Sequence, residues 1–244
     1  MSRHLAIVPA LNEAGSIAQT VGEIRRHAEG FDVLVIDDGS TDATAAIARS
    51  AGARVVSMPF NVGIGGAVQC GYLYAFENGY EVAVQVDGDG QHDARDIPRL
   101  LEALRSDPAI EMVTGSRFLT GQGGYRSSIL RRVGIRLFAA LMSLITRQRV
   151  TDPTSGFRMS ARSGIEIFAH DYPPDYPEVE AILLLHTHRL RSREVPVTMR
   201  PRTSGRSTIA RSVSAYYVIK VLLAVFVGLL RARPVRENST ERAP

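Results

Sequence analysis

The chain has a single cysteine, Cys70, which excludes an internal disulfide; a lone thiol of this kind agrees with a reducing compartment and reads as a small buried hydrophobe. The apolar run that follows Met1-Ser-Arg-His is short and no small-residue cleavage site comes after it, so no signal peptide is expected and the protein is expected in the cytoplasm. Nor is there a full membrane-spanning length: the apolar stretch Ala215 to Leu230 has sixteen residues, roughly 24 Å of helix against the ~30 Å of a hydrocarbon core. There is no internal repeat, and compositional bias is confined to the tail from Arg231 to Pro244, which is expected to be disordered.

What is present suits one enzyme-sized α/β body, since 244 residues can bury a substantial core without disulfides or structural metals. The formal net charge is only +4, but a pI near 9.5 and an arginine-rich second half point to an anionic partner such as a phosphate, a nucleotide or a lipid surface; the alternative is an ordinary solvated surface.

Five short apolar runs rich in β-branched residues, Leu5 to Val8, Val33 to Ile36, Val55 to Met58, Val82 to Val86 and Met112 to Thr114, read as buried strands. Helical stretches lie between them at Glu13 to His27, Ala43 to Ser50, Gly65 to Asn78 and Ala94 to Ser106. This alternation predicts a parallel sheet with right-handed crossovers, and residues 1–115 read as a Rossmann-type nucleotide-binding half. Ligands of such sheets sit beyond the carboxyl ends of the strands, where Pro9 to Glu13, Asp37 to Asp42 and Asp87 to Gln91 fall. After Arg117 come a Gly-rich loop (Thr120 to Gly124), a long helical stretch, a turn at Asp152 to Arg158 and the segment Tyr172-Pro-Pro-Asp-Tyr-Pro. Residues 116–210 read as an acceptor-side half.

Asp87 and Asp89 stand two apart just past an apolar strand, with Gly88 and Gly90 permitting a tight turn. Two such carboxylates can share a divalent cation; hard oxygen ligands suit Mg²⁺ or Mn²⁺, and few protein ligands leave positions open for a diphosphate. Gln91 offers a further oxygen. The alternative is a solvated Asp-Gly turn closing a hairpin. In Val35-Ile36-Asp37-Asp38-Gly39-Ser40-Thr41-Asp42 a strand ends in paired acids and a helix cap. One carboxylate there can accept the imide hydrogen of uracil or guanine, or both acids merely cap the following helix. Pro9-Ala10-Leu11-Asn12-Glu13 brings backbone amides and a carboxylate to the same crevice.

Taken in order, and together with Asn61-Val-Gly63-Ile-Gly-Gly-Ala, Gly115-Ser-Arg117-Phe, Asp152-Pro-Thr-Ser155-Gly-Phe-Arg158 and Gly205-Arg206-Ser207, these segments resemble the inverting glycosyltransferases of family 2, which have the GT-A fold. Within that family the chain is most similar to the dolichyl- or polyprenyl-phosphate sugar synthases, over roughly residues 3 to 210. The resemblance implies a Rossmann-like, mostly parallel sheet flanked by helices, followed by amphipathic and apolar C-terminal helices. It implies that Pro9, Leu11, Asn12, Glu13, Asp37, Asp38, Gly63, Asp87 and Gly88 hold a nucleotide-diphosphate sugar, UDP- or GDP-linked. Asp87, Asp89 and Gln91 would hold the metal and diphosphate. Arg117, Arg131, Ser155, Arg158 and Arg206 would serve the acceptor and phosphate side, with Asp89, Gln91 and Arg117 nearest the chemistry. Two departures stand out. Many relatives read Asp-x-Asp-Leu-Gln where this chain has Asp87-Gly-Asp-Gly-Gln91, implying a looser loop before metal binds, and Arg206 stands where they often carry Gly-x-Ser-Lys.

A lipid phosphate acceptor is already anionic near neutral pH and requires no general base, and arginine forks bind phosphate bidentately. A hydroxyl acceptor instead needs a carboxylate to take its proton. Glu178 and Glu180 are the candidates, with the alternative that they are amino-terminal acids complementing a helix dipole. His186 and His188 stand two apart, a spacing that does not share a helix face; they and His92 read as packing or surface residues before ligands. Ser128, Arg132, Arg136, Ser143 and Arg147 fall on one helical stripe, and Leu130, Val133, Leu137, Leu141, Leu144 and Ile145 on the opposite face. Such a basic amphipathic helix lies in a membrane surface or packs its apolar face on the core.

The expectation is therefore a GT-A domain over residues 1–210, an apolar helix at 211–231 that binds membrane or pairs two copies into a homo-oligomer, and a disordered tail at 232–244. Its expected activity is metal-dependent transfer of a hexosyl unit from a UDP- or GDP-sugar to polyprenyl phosphate, peripherally at the inner face of the cell membrane, with no nucleic-acid partner. The alternatives are a soluble transferase acting on a hydroxyl and a nucleotide-sugar-binding protein without turnover.

Overall fold

Strands that are apolar on both faces need helices on both sides. The computed structural model, which describes residues 3–119, 129–174 and 177–200, with the backbone alone at 129–133, has that arrangement. Strand β1 (His4–Ala10) is buried along its whole length. Leu5 and Ile7 enter one core, Ala6 and Val8 the other, so the period-two division of a strand shows up as an unbroken apolar run. Strands β2 (Phe31–Asp37), β3 (Arg54–Ser57) and β4 (Val82–Gln85) continue the sheet in parallel.

The parallel series was expected to run on into Met112 to Thr114, and here the structure differs. That run is part of β5 (Ile110–Ser116), but β6 (Arg158–Ala161) lies antiparallel between β4 and β5, and β7 (Arg191–Pro196) pairs in parallel with β5 at the edge. The order is β3-β2-β1-β4-β6-β5-β7, a mostly parallel GT-A sheet in which a strand from the second half is inserted among those of the first.

Helices α1 (Ile17–His27), α2 (Thr44–Ser50) and α4 (Ile97–Arg105) cover the core of Ala6 and Val8. Helices α3 (Gly63–Glu77), α5 (Ile129–Thr146), α6 (Arg162–His170) and α7 (Pro177–Thr187) cover that of Leu5 and Ile7. Two boundaries move for local reasons. Asn12 adopts a left-handed backbone (φ 55°) and Glu13 gives its N–H to Thr44, so residues 13–16 form a turn and α1 starts at Ile17. Pro98 has no N–H to donate, so the helix expected from Ala94 opens as a 3₁₀ turn, Ala94–Asp96, before α4 begins.

Helix α5 packs on the core through Ile135, Phe138, Ala139 and Met142. The expected apolar stripe is split: Ile145 packs against that core, whereas Leu137 and Leu144 point outward, 61% and 77% exposed, as do Arg136 in the helix and Arg147 just past its end. Ser143, expected on the basic stripe, bonds instead to the Ala139 carbonyl and the Val150 N–H. Among the described residues no helix is long and apolar enough to cross a membrane. Thr120 to Gly124, Gly205-Arg206-Ser207 and Ala215 to Leu230 lie outside the described residues. Cys70 is half-buried on α3, and burial pushes its thiol up.

The first turn of α3 docks against the Tyr172-Pro-Pro segment at Gly65, where a Cβ would stand 2.5 Å from the Pro173 carbonyl oxygen and 2.6 Å from that of Pro174. Both obstacles are backbone, which cannot rotate away. Gly65→Ala is therefore expected to destabilise by about 1–3 kcal/mol, the range for overpacking a tight site, read as a lower melting temperature by calorimetry; Gly22→Ala, whose Cβ would meet nothing within 4 Å, is the control.

Candidate active site

At the carboxyl rim of the sheet the backbone groups of β1, β2 and β4 run out of ladder partners and have to find others. They find one another. Asp38 N–H donates to the Ala10 carbonyl (2.9 Å) and Gly88 N–H to the Pro9 carbonyl (3.2 Å). Asn12 N–H donates to Ser40 Oγ (2.9 Å), Asn12 Oδ1 accepts from Thr41 N–H (2.8 Å), and Glu13 N–H donates to Thr44 Oγ1 (2.8 Å). Ser16 Oγ lies 2.9 Å from both Glu13 Oε2 and the Gly88 carbonyl oxygen. The three polar loops read from the sequence thus meet in one crevice.

Asp37 and Asp38 are both buried. Asp37 Oδ1 accepts from Ser40 N–H (3.1 Å) within its own turn. Asp38 reaches past the next helix in sequence to the one after: its two oxygens accept from Val62 N–H (2.7 Å) and Gly63 N–H (3.0 Å), a carboxylate on the positive end of α3. Gly63 takes φ 85° there. Pro9 is buried, whereas Leu11 is exposed, as are Phe60 and Val62 on the loop leading into α3 and Ile64 in its first turn. That loop lies close, because a Cβ on Gly39 would stand 2.8 Å from Asn61 N.

The acidic turn closes no hairpin; it leads into α4, and the antiparallel neighbour of β4 is the distant β6. Gly88 presses on β1, where a Cβ would stand 3.1 Å from the Pro9 carbonyl oxygen. Asp87 Oδ1 accepts from Gln85 Nε2 (3.2 Å), and its Oδ2 lies 3.7 Å from His92 Nε2. Asp87 N–H donates to His92 Nδ1 (3.1 Å), which puts the ring proton on Nε2, facing the carboxylate. His92 in turn stacks on Phe157, centroids 4.8 Å apart and 13° from parallel. Gly156 makes room for all this: a Cβ there would be 3.1 Å from Gln85 Nε2 and 3.3 Å from Asp87 Oδ2. Asp89 is buried, with Oδ1 accepting from Gln91 N–H (3.0 Å). Gln91 Nε2 donates to the Arg200 carbonyl (3.3 Å). Two carboxylates and an amide oxygen are a hard donor set that suits Mg²⁺ or Mn²⁺ and leaves most of an octahedral cation's positions to ligand oxygens.

Arg117, Ser155 and Arg158 gather in a buried knot around residues 152–158. Arg117 forks onto Asp152, Nε to Oδ2 at 2.6 Å and Nη2 to Oδ1 at 2.7 Å, with Nη2 also 2.8 Å from Thr154 Oγ1. Ser155 Oγ donates to the Gly115 carbonyl (2.7 Å). Arg158 is 1% exposed; its Nε donates to the Ser155 carbonyl (2.8 Å) and its Nη2 to the carbonyls of Pro153 and Glu178. Its Nη1 is buried and meets no hydrogen-bond partner among the described residues. Arg131 belongs to α5 with its side chain outside the described residues, and Arg206 lies wholly outside them.

Glu178 and Glu180 occupy the first turn of α7, where the dipole favours acids. Burial pushes the Glu178 carboxyl above the usual carboxylate range, the Arg158 guanidinium opposes this and the charge on Asp87 adds to it, so Glu178 senses both the acidic turn and the arginine knot. His186 and His188 are half-buried at the far end of α7, and among the described residues no three His, Cys, Asp or Glu side chains cluster to hold a metal. Sequence reasoning missed Gln85, Gly156 and the orienting role of His92, all of which act on Asp87. It also missed Asp152 as the counter-charge of Arg117. His92, directly after the acidic turn, and Asp152 and Gly156, both within the 152–158 motif, carried a signal; Gln85, inside an apolar strand run, carried none.

The family model described as Glycosyl transferase family 2 matches residues 5–169. The chain is similar to the undecaprenyl-phosphate mannosyltransferase of Micrococcus luteus, 31% identical over 95% of this chain and 98% of that protein. It is also similar to the polyprenol monophosphomannose synthase of Mycolicibacterium smegmatis, 28% identical over 86% of this chain and 82% of that one. Among solved structures, glucosyl-3-phosphoglycerate synthase from Mycobacterium tuberculosis, in complex with Mn²⁺, UDP-glucose and phosphoglyceric acid, superposes with a TM-score of 0.68 at 26% identity, covering 91% of this chain and 79% of that chain.

Because the Arg117–Asp152 pair is buried, with side chains 6% and 0% exposed, Asp152→Ala strands a guanidinium away from water without this counter-charge. The expected cost is about 3–5 kcal/mol, measured as a lower urea midpoint with an unchanged slope.

Proposed function

Since the chain belongs to glycosyl transferase family 2 and is a glycosyltransferase, we propose that it moves a hexosyl unit, with inversion, from a UDP- or GDP-sugar to polyprenyl phosphate at the cytoplasmic face of a membrane, with Mg²⁺ or Mn²⁺. The observation that carries this reading is the acidic turn itself, two carboxylates and Gln91 held at the meeting point of the β1, β2 and β4 exits. Leu11, Asn12, Glu13, Asp37, Asp38 and Gly63 border the same crevice and form the nucleoside side. The named activities of the mannosyltransferase and mannose synthase relatives support a lipid phosphate acceptor.

Asp87, Asp89 and Gln91 would hold the divalent cation, which would supply positive charge opposite the leaving diphosphate, usually the largest catalytic contribution in such transfers. The chain's own residues do the rest. Gln85, His92 and Gly156 hold the Asp87 carboxylate in one orientation. The guanidiniums of Arg117 and Arg158, buried behind the turn, supply positive potential in a low-dielectric setting where it acts most strongly. An acceptor phosphate oxygen is already ionised, so no side chain has to remove a proton. The outward apolar stripe of α5, Leu137 and Leu144 beside Arg136 and Arg147, supports peripheral contact with an anionic membrane surface.

Polyprenyl phosphate incubated with labelled UDP- and GDP-hexoses is expected to yield label in the organic phase, abolished by EDTA and restored by Mn²⁺ or Mg²⁺. No lipid label with any donor sinks the reading. The raised Glu178 carboxyl beside Asp87 favours a second reading, transfer to a hydroxyl with Glu178 as base, and Glu178→Gln separates the two. A base is worth about 10²- to 10⁴-fold in rate, so the lipid-phosphate reading expects turnover to survive the change and the hydroxyl reading expects that loss.

A further inference from the structure

The segment after β7 had no role from its sequence, yet it runs along the acidic turn like a strap. Val197 N–H donates to the Ser116 carbonyl (3.1 Å), Thr198 N–H to Asp96 Oδ2 (3.0 Å), and Met199 forms a bridge with His92. Arg200 N–H then donates to the Gln91 carbonyl (2.9 Å), and Gln91 Nε2 returns a bond to the Arg200 carbonyl (3.3 Å). The Arg200 side chain anchors this pairing at its far end. Its Nη1 lies 2.8 and 2.7 Å from the two oxygens of Glu23 on α1, and its Nη2 lies 3.0 Å from Asp93 Oδ1, the residue that caps the 94–96 turn. Glu23 and Asp93 side chains are only 18% and 4% exposed, so the clamp is partly shielded from water and salt.

A glutamine amide presents either an acceptor or a donor, depending on which end is tied down. With Nε2 bonded to the strap, Gln91 turns its Oε1 away from it, and an oxygen is the only end of an amide that a hard cation accepts. We propose that Arg200 is a positioning residue for the cation and diphosphate site: bridging Glu23 and Asp93, it pins the strap whose backbone sets the Gln91 amide and the height of the Asp87–Gln91 turn. This rests on the reading of that turn as the metal and diphosphate site. It assigns α1, through Glu23, a part in holding a turn that lies far from it in sequence.

The test is binding of UDP and of GDP to the full chain by calorimetry, with Mn²⁺ titrated and free Mn²⁺ followed by electron paramagnetic resonance. Arg200→Ala is expected to raise the half-saturating Mn²⁺ concentration about 10- to 100-fold, the usual effect of losing a residue that orients a metal ligand, while nucleotide binding in EDTA stays as in the parent. Arg200→Lys recovers only part of this, because an ammonium cannot fork across both carboxylates. Glu23→Gln shifts Mn²⁺ binding in the same direction by less, and it decides the matter should Arg200→Ala fail to fold. Parent-like Mn²⁺ binding in the folded variants, even with lowered melting temperatures, overturns the proposal. If the parent itself binds neither nucleotide in a Mn²⁺-dependent way, the metal-site reading has failed, an outcome distinct from the first and fatal to both.

Discussion

At Gly88 the backbone of the acidic turn comes down onto the end of the central strand. Its N–H reaches the Pro9 carbonyl at 3.2 Å, its carbonyl receives Ser16 Oγ at 2.9 Å, and no side chain fits between. Buried backbone groups that leave a sheet must be satisfied, and here the exits of β1 and β4 satisfy each other, with the turn before α1 supplying the hydroxyl. The position of Asp87 and Asp89 relative to the loops that follow β1 and β2 results from this docking. So does the need for glycine at 88, a steric requirement of close approach and separate from any flexibility of the turn.

Around that contact the site is organised by carboxylates that serve structure as well as chemistry. Asp38 closes the start of α3, Asp93 caps the turn before α4 and holds Arg95 and Arg200, and Asp152 holds Arg117. Two or more hydrogen bonds to the ionised form make Asp93 a strong acid, with its carboxyl near 2, chiefly through Arg95. Asp87 differs in kind. Among the described residues its carboxylate meets the Gln85 amide and the His92 ring and no arginine fork, an arrangement that leaves it to attract a cation.

The arginines divide in a similar way. Arg117 and Arg158 are sealed beneath the crevice, and much of their donor capacity goes to Asp152 and to backbone carbonyls. They act at short range through a fixed field more than through mobile contacts. Arg136 on α5 and Arg147 just past its end stand in solvent, as do Leu137 and Leu144, a different use of the same side chain, suited to a charged interface.

By itself the sequence determined the first half of the fold and the location of the crevice. Short apolar runs such as Leu5 to Val8, bounded by turn residues, read as strands buried on both faces, and the polar Gly- and Asp-rich segments after them as their exits. It also carried the family, because the order of those segments is specific even where each one is common. Tertiary structure alone decided the rest. β6 and β7, reading Arg-Met-Ser-Ala and Arg-Ser-Arg-Glu-Val-Pro, have little apolar periodicity, and it is the vacancy between β4 and β5 that makes the first of them a strand. Asp38 could have capped α2, and only the folding of Val62 and Gly63 beneath it shows that it closes the start of α3 instead. The outward face of α5 was legible as apolar but not as exposed, since an amphipathic pattern says which residues share a face and nothing about what covers it. Arg200 stands more than a hundred residues from Gln91 and from Glu23, and ion pairs and backbone bonds of that separation leave no trace in local spacing.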